Sequence, residues 1–341
     1  MVNNFEEALS NLQLNKYSWL VTGAAGFIGS NLSEFLLKNN QIVYALDNFS
    51  TGLRSNIAFL ESYQKTLNND SQFVFYEADI RNYDSCLELT KNINYVLHQA
   101  AIGSVPRSIE DPLTTHDSNI NGFLNILLAS KNNNVENFVY ASSSSIYGDS
   151  PILPKHETHI GLPLSPYAVT KSVNEIYASV FSKVYDFNSI GLRYFNVFGK
   201  RQDPNGQYAA VIPRWISALL SESNLFINGD GSTTRDFCYI DNAVQANILS
   251  ALTNNKDSLN QIYNVAANHQ ISLNELFQII KHNILIHKPD TVIKEPQYRD
   301  FRTGDIMHSM ADIEKAENLL GYKVNKSVEE GLKELVRIDC Q

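Results

Sequence analysis

The chain has 341 residues, of which 43% are hydrophobic and 18% are charged, a composition typical of a globular protein with an ample core. It carries 36 acidic against 27 basic residues, and the resulting net charge of −9 disfavours nucleic acid as a partner. Cys86, Cys238 and Cys340 are too few and too widely spaced for a disulfide framework or a CxxC metal site, so we expect a cytoplasmic protein. The N-terminus lacks a signal-peptide pattern and no apolar run reaches membrane-spanning length, so we expect no membrane partner.

The first half of the sequence predicts strands that alternate with helices. Residues 19–22 are apolar and β-branched, and a glycine turn separates them from a helical pattern that places Ile28, Leu32 and Leu36 on one side. Further buried strands are predicted at residues 42–46, 73–76, 95–97, 138–141 and 190–192. This alternation predicts an α/β fold of the Rossmann type, with a doubly wound parallel sheet.

The pattern changes after Gly199. A turn-rich loop at residues 203–206 is followed by short elements, with one late helix predicted around Leu273 to Ile280. We therefore predict a larger unit at residues 1–199 and a smaller C-terminal lobe at residues 200–341.

Three glycines spaced by three, Gly23, Gly26 and Gly29, follow the first predicted strand. Such a turn lets a pyrophosphate approach the first amides of the next helix. The spacing alone is also compatible with simple turn glycines. However, the flanking strand and helix are both present, and Asp47 ends the second strand, where a carboxylate can bind adenosine ribose hydroxyls. The same charge would repel a 2′-phosphate, so NAD is favoured over NADP.

Small and polar residues also end the next two strands. Asp79 and Ile80 follow the third strand, and Ala100 and Ala101 follow the fourth, at the sheet edge where ligands bind in such folds. The small alanine side chains permit close approach of a cofactor, although ordinary packing alanines fit the pattern equally well.

Tyr167 and Lys171 lie four residues apart in a predicted helix that runs from Tyr167 to Val184, so they share one face. The serine run Ser143–Ser145 follows the fifth strand. Together these residues suggest a triad in which serine orients a hydroxyl and tyrosine exchanges its proton. An ordinary phenol has a pKa of about 10, so ionising it near neutral pH requires about 4 kcal/mol, for which we considered Lys171 and the positive charge of NAD⁺.

The eight histidines show no metal-ligand spacing, and we predict no metal. His98 and His308 are interpreted as hydrogen-bonded structural residues.

From residue 19 to residue 331 the chain resembles the extended short-chain dehydrogenases/reductases, and among them most closely the bacterial UDP-N-acetylglucosamine 4-epimerases. The segments that carry this resemblance are HQAAIGSVPRS (98–108), GLRYFNVFG (191–199) and NGDGSTTRDF (228–237), beside the tyrosine-lysine pair.

The resemblance implies an NAD-binding domain at residues 1–199 and a mainly UDP-sugar-binding domain at residues 200–341, with a segment at about 235–266 that returns to the first domain. It implies that Ser143, Ser144 or Ser145 binds the sugar 4-hydroxyl, that Tyr167 is the base, and that Lys171 holds the nicotinamide ribose. Other cofactor contacts that it implies are Phe27, Ile28, Asn48, Ser50, Thr51, Gly52, Gln99, Asn119 and Tyr194. Other substrate contacts are Gly103, Ser104, Asn196, Ala210, Val211, Asn228, Arg235, Arg302 and Asp305.

The resemblance also bears on substrate and assembly. It aligns Ser309 with a position that is a large tyrosine in enzymes limited to UDP-glucose and UDP-galactose, so serine leaves room for an N-acetyl group. UDP-GlcNAc and UDP-GalNAc are the expected substrates, with the corresponding uronic acids left open. Surface-polysaccharide precursor synthesis, including O-antigen, is the expected context. A homodimer formed through a four-helix bundle is also implied.

The sequence also bears on other reactions of related enzymes and on a role without catalysis. A nucleotide-sugar 4,6-dehydratase needs an acid/base pair where this chain has Ser144 and Ser145, and a UDP-glucuronate decarboxylase needs a glutamate at the position of Ser145. A catalytically silent NAD-binding scaffold would often have lost Tyr167 or Lys171, and both are present.

Overall fold

A computed structural model describes residues 4–206, 209–301 and 307–340. Its strands, in chain order, are β1 (Ser18–Thr22), β2 (Ile42–Asp47), β3 (Gln72–Glu77), β4 (Tyr95–His98), β5 (Asn137–Ser143), β6 (Ser189–Tyr194), β7 (Val197–Phe198), β8 (Phe226–Asn228), β9 (Thr234–Asp236), β10 (Cys238–Tyr239), β11 (Ile262–Val265), β12 (Gln270–Ser272) and β13 (Gln297–Arg299). Seven of them form one parallel sheet in the order β11-β6-β5-β4-β1-β2-β3.

Helices cover the sheet and link its strands. In chain order they are α1 (Phe5–Leu14), α2 (Phe27–Lys38), α3 (Arg54–Thr66), α4 (Tyr83–Leu89), α5 (Val105–Glu110), α6 (Pro112–His116), α7 (Gly122–Asn132), α8 (Pro166–Tyr185), α9 (Val211–Leu220), α10 (Ile240–Leu252), α11 (Leu273–His287), α12 (Glu314–Leu320) and α13 (Val328–Asp339). A π-helical segment (Asp117–Asn121) leads into α7, and a 3-10 turn (Ser144–Tyr147) follows β5.

The core has two layers, one on each face of the sheet. In β1, Leu20 packs with α7 and α8 residues on one face, while Val21 belongs to the layer that contains α2 and α10 on the other. This alternation follows from the two-residue period of a strand. The predicted doubly wound α/β fold is thus confirmed.

The order of the strands reverses next to β1. From β1 the chain proceeds through β2 and β3 in one direction and through β4, β5 and β6 in the other. In sheets of this kind the crevice beyond the carboxyl ends, at the reversal point, is where ligands bind. The glycine turn after β1, the segment after β4 and the serine run after β5 all lie at this edge.

The second half of the chain contributes to the main sheet as well as forming small pairs of its own. Strand β11 pairs with β6, and α10, which is buried on every side, packs against the same sheet. The remaining pairs are β7 with β10, β9 with β12, and β8 with β13. Residues distant in sequence therefore share one core.

The elements differ in detail from those predicted. Helix α1 was not predicted; only Ala8 and Leu12 of its ten residues are buried, too few for a clear period. Strand β5 continues to Ser143, so the serine run begins inside a strand. Helix α11 extends to His287 behind a capping box of Ser272 and Glu275. In the described part of the chain no helix has the length and apolar character needed to span a membrane.

Candidate functional site

The turn between β1 and α2 brings backbone into close contact with backbone. Gly23 has a φ of +69°, and a Cβ on it would lie 2.7 Å from the backbone nitrogen of Ala100. A Cβ on Gly29 would lie 2.2 Å from the carbonyl oxygen of Gly23. The N-cap of α2 is Gly26, which has no capping side chain, so the first amides of the helix can receive a pyrophosphate. The turn therefore fits a dinucleotide cofactor.

Asp47 is fixed at the carboxyl end of β2. One carboxylate oxygen accepts a hydrogen bond from the amide of Ala25 at 3.0 Å and the other from the amide of Phe49 at 2.8 Å. Burial raises the pKa of Asp47, and these amide donors oppose the rise. Each oxygen can accept a further hydrogen bond, as ribose recognition requires.

Asp79 and Asn48 form a second polar contact beside Asp47. The amide nitrogen of Asn48 donates to Asp79 at 2.8 Å. Hydrogen bonds from Arg81 lower the pKa of Asp79 to about 2, so this carboxylate is charged at neutral pH. Asp79 and the glycine turn line the same cavity, and Asp79 gives that part of the cavity wall a negative charge.

A cavity of about 420 Å³ extends from the glycine turn to the catalytic-triad candidates. Most of the predicted cofactor contacts line it, namely Gly23, Gly26, Phe27, Ile28, Gly29, Asp47, Asn48, Ser50, Thr51, Asp79, Ile80, Gln99, Ala100, Ala101, Tyr167, Lys171 and Tyr194. Two predicted cofactor residues lie behind its wall. Gly52 packs against Ala25, and the buried Asn119 holds the backbone of Ile102 and the hydroxyl of Thr170.

Tyr167 and Lys171 project from the first turns of α8. The helix begins at Pro166 after the N-cap Ser165, whose side chain accepts from the amide of Ala168. The Lys171 ammonium lies 5.9 Å from the centre of the Tyr167 ring and donates to the carbonyl of Ala141 at 2.8 Å. Both side chains line the cavity. The i, i+4 spacing thus places a phenol and an ammonium together at the sheet edge.

Burial decides the acidity of both groups. Burial raises the pKa of Tyr167, and a hydrogen bond with Ser143 opposes that rise. Burial also lowers the pKa of Lys171 to about 8, against the attraction of Glu175. The protein alone therefore favours the protonated phenol, and the charge of NAD⁺ has to supply the rest of the field.

The members of the serine run have different environments. Ser143 lines the cavity and its hydroxyl accepts from the hydroxyl of Ser145 at 2.9 Å. Ser142 also lines the cavity, but its hydroxyl donates to Glu175 at 2.6 Å. Ser144 and Ser145 lie in the 3-10 turn and are not part of the cavity lining. Of the run, Ser143 is the residue that lowers the pKa of Tyr167 against the effect of burial.

His98 has a structural environment. It is 2% exposed, and its ring lies 2.8 Å from the hydroxyl of Thr22. Burial, with the nearby Lys171, lowers its pKa to about 3, so it is neutral across the physiological range. In the ranges that the structure describes, no group of three or more potential ligands could hold a metal ion.

The predicted substrate contacts lie in several elements, and only some of them line the cavity. Gly103 and Asn196 line it. Ser104 caps α5 with a φ of +94°, and Ser309 is held beside β9 by a hydrogen bond from its amide to the carbonyl of Thr234. The others lie away from the cavity wall, at the start of α9 (Ala210, Val211), at the end of β8 (Asn228) and in β9 (Arg235). Arg302 and Asp305 lie outside the described residues.

Several cavity residues were not predicted. Ser118 reaches the wall from the π-helical segment, and Gln202 reaches it from the loop after β7. Asn247 lies behind the wall, where its amide holds Gln99 at 3.0 Å and the hydroxyl of Tyr194 at 2.7 Å. No local spacing marks these residues, since they meet only through the parallel order of the strands. The four-residue spacing from Lys171 could have identified Glu175.

Comparison with known proteins places this site in a family. The chain is 37% identical to a UDP-N-acetylglucosamine 4-epimerase from Methanobrevibacter ruminantium M1, solved in complex with UDP-N-acetylmuramic acid, with a TM-score of 0.84 over 95% of this chain and 98% of that one. It is 36% identical to the UDP-glucuronate 4-epimerase of Thermodesulfobacterium geofontis, over 93% of this chain and 94% of the relative. It is 34% identical to the UDP-glucose 4-epimerase of Mycolicibacterium smegmatis, over 93% and 96% of the two chains.

A family model also matches residues 19–266, which include the glycine turn, the cavity and α8. The description of that family names NAD as the cofactor, in agreement with the fit of the turn and of Asp47. The chain therefore belongs to the NAD-dependent epimerase/dehydratase family.

Proposed function

We propose that the protein is a UDP-sugar 4-epimerase and that its preferred substrates are the UDP-N-acetylhexosamines UDP-GlcNAc and UDP-GalNAc. The observation that carries the proposal is the arrangement of Tyr167 at the cavity, which Ser143 and Lys171 also line, with Lys171 one helical turn from Tyr167. Relatives named as 4-epimerases of three UDP-sugars match the chain nearly end to end, which supports the reaction class.

Each residue of this group has a separate task in the proposed reaction. NAD, when bound, supplies the reversible two-electron oxidation at carbon 4 of the sugar. Ser143 orients the 4-hydroxyl, and Tyr167 accepts its proton and later returns it to the same oxygen, after the sugar has turned its opposite face to the cofactor. Lys171 holds the nicotinamide ribose and contributes positive charge beside the phenol. Gly23, Gly26 and Asp47 bind and orient the cofactor, and Gln99 and Tyr194 are fixed beside it by Asn247.

The sugar has to present both faces to the same tyrosine. Binding energy should therefore lie on the uridine diphosphate, so that the sugar can turn while the nucleotide stays held. We propose that Asn196 contacts the diphosphate and that positive charge comes from Arg235 and from Arg302, which lies outside the described residues. Guanidinium groups pair well with phosphate, and they compensate locally for the acidic chain. Asp305, also outside the described residues, is proposed to bind the uridine ribose. Ala210, Val211 and Asn228 are proposed to contact the uridine.

The preference for an N-acetyl group rests on Ser309 and Ser104. Ser309 is half-buried and held against β9, next to Arg235. By resemblance to the family, its small side chain is proposed to leave space that a tyrosine would fill, and Ser104 is proposed to contact the acetamido group. The corresponding uronic acids remain the alternative substrates, since relatives named for glucuronate are also similar.

The serine run disfavours the dehydratase alternative. Elimination of water would need an acid/base pair at the end of β5, and Ser143, Ser144 and Ser145 occupy that place. The silent-scaffold alternative is disfavoured because the phenol, the ammonium and the cavity that they line are all present.

The described segments contain free cysteines, of which Cys86 and Cys238 are buried, and a reducing cytoplasmic location is proposed on that ground.

The proposed specificity is tested with a panel of UDP-sugars and no added NAD. Purified protein is incubated with UDP-GlcNAc, UDP-GlcNAcA, UDP-glucose and UDP-glucuronate, and the C4 epimers are separated. We expect interconversion of UDP-GlcNAc and UDP-GalNAc to be the most efficient, and Ser309→Tyr to lose that activity while it keeps UDP-glucose. Activity on UDP-glucose or UDP-glucuronate alone would reject the N-acetyl preference but leave the epimerase assignment intact.

We also propose that the protein is a homodimer through α8 and the short helices α5 and α6. The inner face of α8 is buried, but Val169, Ile176, Val180 and Val184 on its outer side are 46%, 63%, 45% and 65% exposed. The neighbouring α6 adds Leu113, which is 81% exposed. An apolar stripe of this length fits a second copy of the same helices in a four-helix bundle.

A further inference from the structure

A carboxylate lies one helical turn beyond Lys171 on α8. Glu175 accepts three hydrogen bonds, from the hydroxyl of Ser142 at 2.6 Å and from the Nε and Nη2 atoms of Arg193 at 2.9 Å and 2.8 Å. The Glu175 side chain is 12% exposed and that of Arg193 is 4% exposed. The carboxylate therefore forms a largely buried, hydrogen-bonded ion pair with the guanidinium.

Arg193 is fixed on its other sides. Its Nη1 atom donates to the carbonyl of Glu157 at 3.1 Å, and its guanidinium lies 4.9 Å from the centre of the Tyr147 ring. The guanidinium of this β6 residue therefore contacts both the loop that contains Glu157 and the 3-10 turn that ends at Tyr147. Held this way, it keeps the Glu175 carboxylate facing the end of β5.

The carboxylate and Lys171 bind adjacent residues of β5. Glu175 holds the side chain of Ser142, while Lys171 donates to the carbonyl of Ala141, the residue before it. Lys171 is 2% exposed, so its charge has little water to stabilise it. Glu175 is the charged neighbour that favours its ammonium form.

Other titratable groups face this region from each adjoining strand. These groups are His98 from β4, Tyr140 from β5, Arg193 and Tyr194 from β6, and Tyr167 from α8 itself, with Glu157 and Lys315 near the Glu175–Arg193 pair. Burial keeps His98 neutral and raises the pKa of each of these three tyrosines. Arg193 is the cation that pairs with Glu175. Glu175 is the carboxylate on α8 that lies one helical turn from Lys171.

We infer that Glu175 is a positioning residue for the reaction, which holds Lys171 as an ammonium and fixes the end of β5 that presents Ser143. This inference rests on the proposed function for its catalytic meaning, because Lys171 is assigned to the cofactor there. The electrostatic part concerns the chain's own residues and is measurable without turnover. Arg193 orients the Glu175 carboxylate through hydrogen bonds, and its own positive charge does not stabilise the Lys171 ammonium.

The direct test follows the ionisation of Lys171. Protein that carries its bound NAD is labelled with ¹³C at the lysine Cε atoms, and the Lys171 resonance is assigned by its loss in Lys171→Met. In Glu175→Gln we expect the midpoint of its pH titration to fall by at least about one unit relative to the unchanged protein. In an active enzyme the basic limb of kcat/KM should move to lower pH by the same amount, because the ammonium is lost earlier as pH rises.

Glu34→Gln is the matched control. Glu34 is 15% exposed and pairs with Arg201 at 2.6 Å, so this variant also removes the charge of a largely buried ion pair. It lies in α2 rather than beside Lys171, and the Lys171 midpoint should not move. Ser142→Ala keeps the Glu175 charge and should likewise leave the midpoint nearly unchanged. A fall in either variant as large as in Glu175→Gln would overturn the inference.

Glu175→Gln leaves the Arg193 cation buried without its partner, and this change can impair folding. The double variant E175M/R193M removes both charges and should still lower the midpoint. An unchanged midpoint in the folded variants would overturn the inference even if the enzyme epimerises UDP-sugars. Conversely, a lowered midpoint in a protein that converts no UDP-sugar would support the electrostatic role and reject the proposed function.

Discussion

Tyr167 is the residue on which the proposed chemistry depends most directly. Its ring lines the cavity and its pKa is raised by burial, so the phenol has to lose its proton with help from the bound cofactor. We expect Tyr167→Phe to lower kcat by at least about 100-fold, the scale of general-base contributions. The amount of NAD that copurifies should stay the same, because the glycine turn and Asp47 are untouched. A rate close to that of the unchanged enzyme would assign the proton transfer to another group.

Lys171 illustrates the cost of placing a charge in this cavity. Its pKa is about 8 in the folded protein, below the value of about 10.4 in an unfolded chain. The unfolded state therefore binds more protons between these values, and stability should rise as pH increases from about 8 to about 10. At pH 7 the difference amounts to about 3 kcal/mol against folding.

Lys171→Met should consequently stabilise the protein at pH 7, by up to about 2 kcal/mol once the lost hydrogen bond to Ala141 is included, while activity falls. The gain should shrink as pH approaches 10. Urea unfolding at pH 7 and at pH 10 measures both quantities. A variant less stable than the parent at pH 7 would show that the lysine is not held at an energetic cost.

The candidate catalytic residues could be singled out from the sequence because their signals are local. Tyr167 and Lys171 are one helical turn apart, and Asp47 follows an obvious strand. Asn247 and Arg193 could not be predicted as neighbours of the site, because they reach it through the pairing of β6 with β5 and the packing of α10. Ser118 lies in a π-helical segment that no simple periodicity indicates.

At the scale of the element, the turn between β1 and α2 is the strictest structural requirement. Gly29→Ala would place a methyl group 2.2 Å from the carbonyl oxygen of Gly23, and backbone cannot yield as a flexible side chain can. We expect a loss of about 2 kcal/mol in the free energy of unfolding and the loss of copurified NAD. Denaturant unfolding and assay of the nucleotide released on denaturation measure these effects.

Gly206→Ala is the control for this prediction. A Cβ at Gly206 would lie 3.4 Å from a carboxylate oxygen of Asp203, an ordinary contact, so stability and bound NAD should be unchanged. If Gly29→Ala behaved like Gly206→Ala, the close approach of the two backbones would not be a requirement of the fold.

Elements with a strong period were predicted well. Strands β1 to β6 are short apolar runs between helices, and the parallel sheet follows from that alternation. The two-residue strands β7 and β10 are too short to show any period, and each exists only because the other pairs with it. The partnership of β11 with β6 is likewise a property of the whole chain.

At the scale of the whole molecule, the apolar outer side of α8 predicts a second copy. Ile176 is 63% exposed. We expect Ile176→Asp to convert the proposed dimer to a monomer, because the dimer contact would bury an unpaired carboxylate. Ile286→Asp is the control, since Ile286 is 55% exposed on α11, away from α8. Light scattering measures the mass of each. A monomeric parent protein, or a dimer that survives Ile176→Asp, would contradict the proposed interface.

The two halves of the chain are joined by a common core rather than by a linker. Helix α10 and strand β11 bring residues of the second half beneath the cofactor cavity, where Asn247 supports Gln99. Residue 199 is the proposed domain boundary, but residues from both sides of it pack into the same core.

The central claim is that oxidation and reduction both occur at carbon 4 of the sugar within one cavity. The most direct measurement uses UDP-GlcNAc that carries deuterium at carbon 4, incubated in ordinary water without added NAD. The account predicts that the UDP-GalNAc formed keeps the deuterium at carbon 4, and that Tyr167→Phe forms it at least about 100-fold more slowly. Deuterium lost to the solvent, or no epimer formed by folded protein that contains NAD, would contradict it.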